Sequence, residues 1–174
     1  MSDLKVPITS ADHARGDRTA SIALVEYGDY QCPPCAQAEH AVRLLQRRFG
    51  KNLCYVFRHF PLAQLHPEAE HAAEMAEFAG SHAESVFWQA HEALYENQRF
   101  LGPLLYSEIA ASLGLSKAEL SRALTEGSGF KKIKADFDGG VASGVHGTPT
   151  FFINGRLHRG PVDFDSLTAA IEAY

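Results

Sequence analysis

Along the chain, the first sustained apolar run is Ser21-Ile22-Ala23-Leu24-Val25-Glu26-Tyr27, ended by Gly28-Asp29. Its shortness and its turn-forming flank predict a buried strand, and the lack of clean alternation leaves the face of Glu26 open. Cys32-Pro33-Pro34-Cys35 follows. Ala38, Ala41, Val42, Leu45 and Phe49 then recur at helical spacing and are closed by Gly50, which predicts a helix. Leu53 to Phe57 is a second strand-like run. A strand, a helix and a strand in such close succession predict a βαβ unit with two parallel, neighbouring strands.

From Pro61 the rhythm changes. Pro67 to Ala79 is Ala-rich and helical, and Ser85 to Gln98 carries Val86, Phe87, Ala90 and Leu94 at helical spacing. Two short helices are expected next, one starting near Ser107 and ended by Gly114, the other starting at the N-cap Ser116 and carrying Leu120 and Leu124. Phe130 to Phe137 reads as a further helix broken by Gly139-Gly140. Residues 62–141 are therefore expected to form an all-helical insertion within one domain spanning 1–174. A hairpin follows, with Thr150 to Ile153 and Arg156 to Arg159 joined by the turn signature Asn154-Gly155. A last helix starts at Asp163 or Asp165.

Composition narrows the field. The 174 residues suit one domain with a core of its own, at 45% apolar and 21% charged. Sixteen Lys and Arg against 21 Asp and Glu give a net charge of −5, which is no footprint for nucleic acid. The pairs Arg47-Arg48 and Lys131-Lys132 read as solvated helix faces. No apolar run reaches the ~18 residues of a membrane span, and the charged first 18 residues hold no leader-like stretch. On this reading the expected location is the cytoplasm, or an exported compartment if a leader has been removed.

Three cysteines are too few for a disulfide framework. A Cys-X-X-Cys placed after a strand and at a helix start has a specific chemical meaning. Unpaired amides and the positive end of the helix dipole favour thiolate over thiol, so cysteine acidity there rises by several orders of magnitude. Cys32 is expected to be exposed and nucleophilic. Cys35, one turn in, is shielded and close enough to resolve a mixed disulfide. The competing reading, a structural zinc site, needs four ligands; Cys54 lies alone in a strand, and no His pair sits at matching spacing.

These residues resemble the DsbA-like branch of thiol–disulfide oxidoreductases in the thioredoxin superfamily. The likeness rests on Val25 to Cys35, on Tyr55 to Leu62 with His66-Pro67 beyond, on the helical insertion, and on Gly144 to Gly155 with its Gly147-Thr148-Pro149-Thr150. It implies an α/β thioredoxin-like fold with the insertion placed before a cis-proline strand. It also implies that Pro149 is the cis-proline packed against the redox sulfurs, and that Thr148 pairs through its backbone with an extended substrate peptide. Glu26 would be the buried acid that exchanges a proton with Cys35, its acidity weakened by desolvation; a strand-end carboxylate facing water is the alternative.

The resemblance departs at Pro34, where a His is common in the family. Neither Pro33 nor Pro34 has an N–H to offer the Cys32 sulfur, so a weaker oxidant is expected. Pro33, Pro34, Tyr30, Thr148 and His146 are the expected substrate-contacting residues, with Tyr27 and Phe60 forming either an apolar rim or core. His146 lines the site or fills a loop. Cys54 reads as a small core residue, Glu68-Ala69-Glu70-His71 as a solvated helix face, and Gly139 to Gly147 as the approach to Pro149 rather than a phosphate loop. The expected function is disulfide exchange with protein or peptide substrates through a Cys32–Cys35 disulfide, with no organic cofactor and no metal. A separate redox partner recycles the sulfurs. The alternatives are a peroxide or small-disulfide reductase, and a metal-carrying or non-catalytic binding module on the same scaffold.

Overall fold

A computed structural model describes residues 3–174. The chain runs β1 (His13–Arg15), β2 (Ile22–Gly28), α1 (Pro33–Phe49), β3 (Leu53–His59), α2 (Ala69–Gly80), α3 (Glu84–Glu96), α4 (Pro103–Ser112), α5 (Lys117–Glu126), α6 (Phe130–Ala142), β4 (Thr150–Ile153), β5 (Arg156–Leu157) and α7 (Phe164–Glu172). The strands form one sheet in the order β1-β3-β2-β4-β5. β2 and β3 pair in parallel, as the βαβ spacing predicts, and the other pairs are antiparallel. This is the α/β architecture that the family resemblance implies, with α2 to α6 inserted between β3 and β4. Among the described residues no helix is long and apolar enough to cross a membrane.

The sheet is covered on both faces, which explains the absence of alternation in the central strands. Leu24, Tyr55, Phe57, Phe151 and Ile153 face one core with α1 and the inserted helices. Val25, Tyr27, Val56 and Phe152 face a smaller core closed by Phe60 and Val145. A strand buried on both sides reads as a continuous apolar run.

Helix ends follow local chemistry. Ser116 caps α5 by accepting from the Glu119 N–H at 3.2 Å, and Asp163 caps α7 by accepting from the Ser166 N–H at 2.9 Å. The structure differs from expectation in four places. α4 begins at Pro103 rather than near Ser107, because Pro is suited to the first helical position after the Gly102 cap. α6 runs through Gly139-Gly140 to Ala142: those glycines serve close packing, since a Cβ on Gly140 would lie 2.7 Å from the Phe60 ring. β5 stops at Leu157, short of the expected Arg159. β1 is the fourth difference. Three residues with no apolar periodicity form an edge strand, held there by side-chain contacts with α2 and α3.

Candidate active site

The site forms where β2 ends and α1 begins. Asp29 shapes the turn: its carbonyl accepts from the Cys32 N–H at 3.1 Å, and its buried carboxylate accepts from the Gln31 and Leu62 amides at 2.8 and 2.9 Å. Cys32 is the extended N-cap of α1, with Pro33 and Pro34 in the first turn. Lacking an N–H, the two prolines leave Cys35 as the first donor, and its amide bonds the Cys32 carbonyl at 3.1 Å. Both prolines are exposed beside the sulfurs.

Cys32 and Cys35 are free thiols. Cys35 is sealed from solvent, as expected. Cys32 corrects its expectation of exposure, being only 4% exposed. The Thr148 carbonyl, 3.4 Å from the Cys32 Sγ, lies over it in the loop that leads into β4. The Thr148–Pro149 peptide is cis, as the family resemblance implies.

The two thiols have opposite acidities. The hydrogen bond from Cys35 does most to lower Cys32 to about 6, against a burial penalty, and the contact with Thr148 adds to it. Burial, and then the same hydrogen bond seen from its other side, pushes Cys35 well above an ordinary thiol. Below them Glu26 is buried, and desolvation raises it to about 8 despite a 2.6 Å hydrogen bond from the Tyr55 hydroxyl. Its charge reaches Cys35 and disfavours the Cys35 thiolate.

A hydrogen-bonded chain runs beneath the turn. The Tyr30 hydroxyl bonds His91 Nδ1 at 2.8 Å, His91 Nε2 bonds Glu39 at 3.0 Å, and Glu39 accepts from Arg15 at 3.0 Å. Burial does most to lower His91, against the pull of Glu39. Burial alone would raise Glu39, but His91 and Arg15 outweigh it and hold the carboxyl at about 2. From the inserted helices, Gln98 Nε2 donates to the carbonyls of both Tyr30 and Cys32 at 2.8 Å.

A thioredoxin family model matches residues 9–173. The chain belongs to the thioredoxin family. Its fold is that of DsbA-like oxidoreductases. BdbD from Bacillus subtilis superposes with a TM-score of 0.87 at 23% identity, over 96% of this chain and 94% of that one. α-DsbA1 from Wolbachia pipientis gives 0.83 at 21% identity, over 99% and 95%. The catalytic domain of Proteus mirabilis ScsC gives 0.81 at 19%, over 98% and 92%. Among curated sequences, a Na(+)/H(+) antiporter NhaA 1 of Salinispora arenicola is 44% identical over 170 residues. This chain spans 97% of its own length in that match but only 26% of the relative's.

Cys32, Cys35, Thr148 and Pro149 thus meet at one point with Glu26 beneath, while four other residues considered for the site lie elsewhere. Tyr30 is 1% exposed, its ring turned inward among Phe57, His91 and Tyr95, so it supports the turn from below and offers no surface to a substrate. Tyr27 and Phe60 are core, not rim. His146 is exposed in a shallow depression with Lys5 and Arg159, away from the sulfurs' contacts. Cys54 is buried in β3, its Sγ 4.0 Å from the Gly16 carbonyl. Asp29, Glu39, His91 and Gln98 were missed. Asp29 had a usable signal, a turn-forming acid three residues before Cys32; Glu39 and His91 sit on helices, and Gln98 in a 3₁₀ turn after α3, whose sequence says nothing about their orientation.

Proposed function

We propose that this chain is a thiol–disulfide oxidoreductase acting on protein or peptide substrates, with Cys32 as nucleophile and Cys35 as resolving thiol. One observation carries the reading: two adjacent thiols of opposite acidity, the outer lowered to about 6 and the inner pushed well up. At neutral pH only the outer sulfur is substantially thiolate, which fixes the order of events.

In the reductive direction the Cys32 thiolate attacks a substrate disulfide. A Cys32–substrate S–S bond forms, and the departing substrate sulfur leaves as a thiolate that takes a proton. Cys35 then loses its proton to the Glu26 carboxylate and attacks Cys32, forming the Cys32–Cys35 disulfide and expelling the second substrate sulfur. Two electrons pass from the chain to the substrate. Run backwards, the same steps oxidise a dithiol, with Glu26 returning the proton to Cys35. The sulfurs carry the electron pair, so no organic cofactor takes part. A separate thiol or disulfide partner restores the starting state.

The backbone beside the cis-proline at Thr148 is the proposed contact for an extended substrate segment, with Pro33 and Pro34 forming the exposed margin. The test is insulin disulfide reduction with dithiothreitol, alongside mass spectrometry of trapped complexes. Cys32→Ser should abolish turnover. Cys35→Ser should retain attack and accumulate a mixed disulfide. Turnover by Cys32→Ser at the wild-type rate would overturn the assignment.

A further inference from the structure

Away from the sulfurs, three elements bring two imidazoles and a carboxylate together inside the molecule. His13 pairs with Phe57 in the β1–β3 register, so strand alternation puts His13 and His59 on the same sheet face, beneath α2. His13 Nε2 and His59 Nε2 lie 2.6 and 2.9 Å from the same oxygen, Glu77 Oε2. The three ligand atoms fall within 4.8 Å of one another, and both imidazoles are buried. On its other side, His13 Nδ1 lies 2.9 Å from Glu84 Oε2.

Proton bookkeeping makes the cluster distinctive. A carboxylate oxygen only accepts, so each Nε2 facing Glu77 carries a proton, and so does His13 Nδ1 facing Glu84. The His13 ring is stacked 3.5 Å from that of Phe87. Two N–H groups converging on one carboxylate oxygen occupy the place that a single divalent cation would take. The His13–Glu84 bond is also the contact that orients imidazole ligands in metal sites, fixing the proton on the nitrogen remote from the ion.

We infer that His13 Nε2, His59 Nε2 and Glu77 form a binding site for one divalent transition-metal ion, zinc on the chemistry of its donors, which clips the edge strand β1 and the end of β3 to α2. Two imidazoles and a carboxylate suit zinc, leaving a fourth position for water. Ligand distances of about 2.0–2.2 Å around a tetrahedral ion place its donors ~3.4 Å apart, so on binding the Glu77 oxygen, now 2.6 and 2.9 Å from the two nitrogens, withdraws slightly and the donors, all within 4.8 Å of one another, close around the ion. On binding, His13 gives its Nε2 proton to solvent and keeps Nδ1–H on Glu84. His59 moves its proton from Nε2 to Nδ1. Each ion therefore releases at least one proton. The role is structural and independent of disulfide exchange, which requires no ion here.

The test is zinc titration of the wild-type chain with Cys32 and Cys35 oxidised, so that neither thiol competes. Calorimetry in two buffers of different ionisation enthalpy should give one zinc per chain and about one proton released. Tm should rise with zinc concentration. His13→Gln and His59→Gln should each weaken binding at least about tenfold, and Glu84→Gln by roughly 10–100-fold. If these variants fold poorly, cobalt added to the oxidised wild type should give tetrahedral d–d bands without a thiolate charge-transfer band. Well under one equivalent of zinc, affinity unchanged in both His variants, or a thiolate band in the cobalt spectrum would each overturn the site.

Discussion

The Tyr55 hydroxyl donates a 2.6 Å hydrogen bond to Glu26 Oε2 within the core between the sheet and α1, where neither group meets solvent. The other oxygen, Oε1, has no hydrogen-bond partner among the described residues. Burial pushes Glu26 up to about 8, and the Tyr55 bond is the foremost influence holding it down. Tyr55→Phe should move the Glu26 titration, followed by carboxyl NMR, to still higher pH. The limb of the exchange rate that depends on Glu26 ionisation should move with it.

The same carboxyl makes stability depend on pH with a definite sign. Its folded pKa of about 8 lies above the ordinary 4.5, so its contribution is complete below 4.5 and is lost as pH rises through 8. Urea unfolding of oxidised protein should show wild type losing as much as ~5 kcal/mol relative to Glu26→Gln across that window. Parallel pH profiles for the two proteins would contradict the shift.

Cys32 should alkylate with a midpoint near its lowered pKa of about 6, while Cys35 stays unmodified across the neutral range. Iodoacetamide labelling of reduced protein, quantified at each sulfur by mass spectrometry, checks this. Comparable labelling of both thiols at neutral pH would contradict the asymmetry.

Pro34→His should make the protein a stronger oxidant. The substitution restores an N–H in the first turn of α1, where wild type has prolines at both positions, and adds a group able to carry positive charge beside the Cys32 thiolate. The reduction potential against glutathione should rise by at least ~30 mV, a tenfold change in the two-electron equilibrium. An unchanged or more reducing value would refute the argument.

Gly140→Ala should destabilise the fold by about 1–3 kcal/mol. A methyl there would lie 2.7 and 2.9 Å from the rings of Phe60 and Tyr27, a cost greater than the gain in helix propensity of about 1 kcal/mol. Thermal unfolding measures it.

These outcomes reflect what a sequence does and does not reveal. The βαβ unit, the Asn154-Gly155 turn and the caps at Ser116 and Asp163 were legible because each depends on neighbours in the chain. The core of the site was legible because the Cys32–Cys35 spacing and the residues before Pro149 encode their own geometry. Orientation across the chain was hidden. A strand buried on both faces does not show which way Glu26 points, and only the pairing with β3 and β4 settles it. Gln98, far along the chain, reaches the carbonyls of Tyr30 and Cys32 through a 3₁₀ turn after α3, and no local pattern announces that. The glycines of α6 misled because their value lies in what the helix touches.

Arg58 sets a limit of another kind. Its guanidinium, almost wholly enclosed, is bound by both oxygens of Asp12, by the Tyr27 hydroxyl, and by the carbonyls of Val6 and Pro7. The family match begins at residue 9, downstream of two of those anchors. Trimming the chain to the first residue of that match would strand a cation in a dry interior with part of its coordination cut away. The stable unit of this domain extends upstream of the segment that the family model matches.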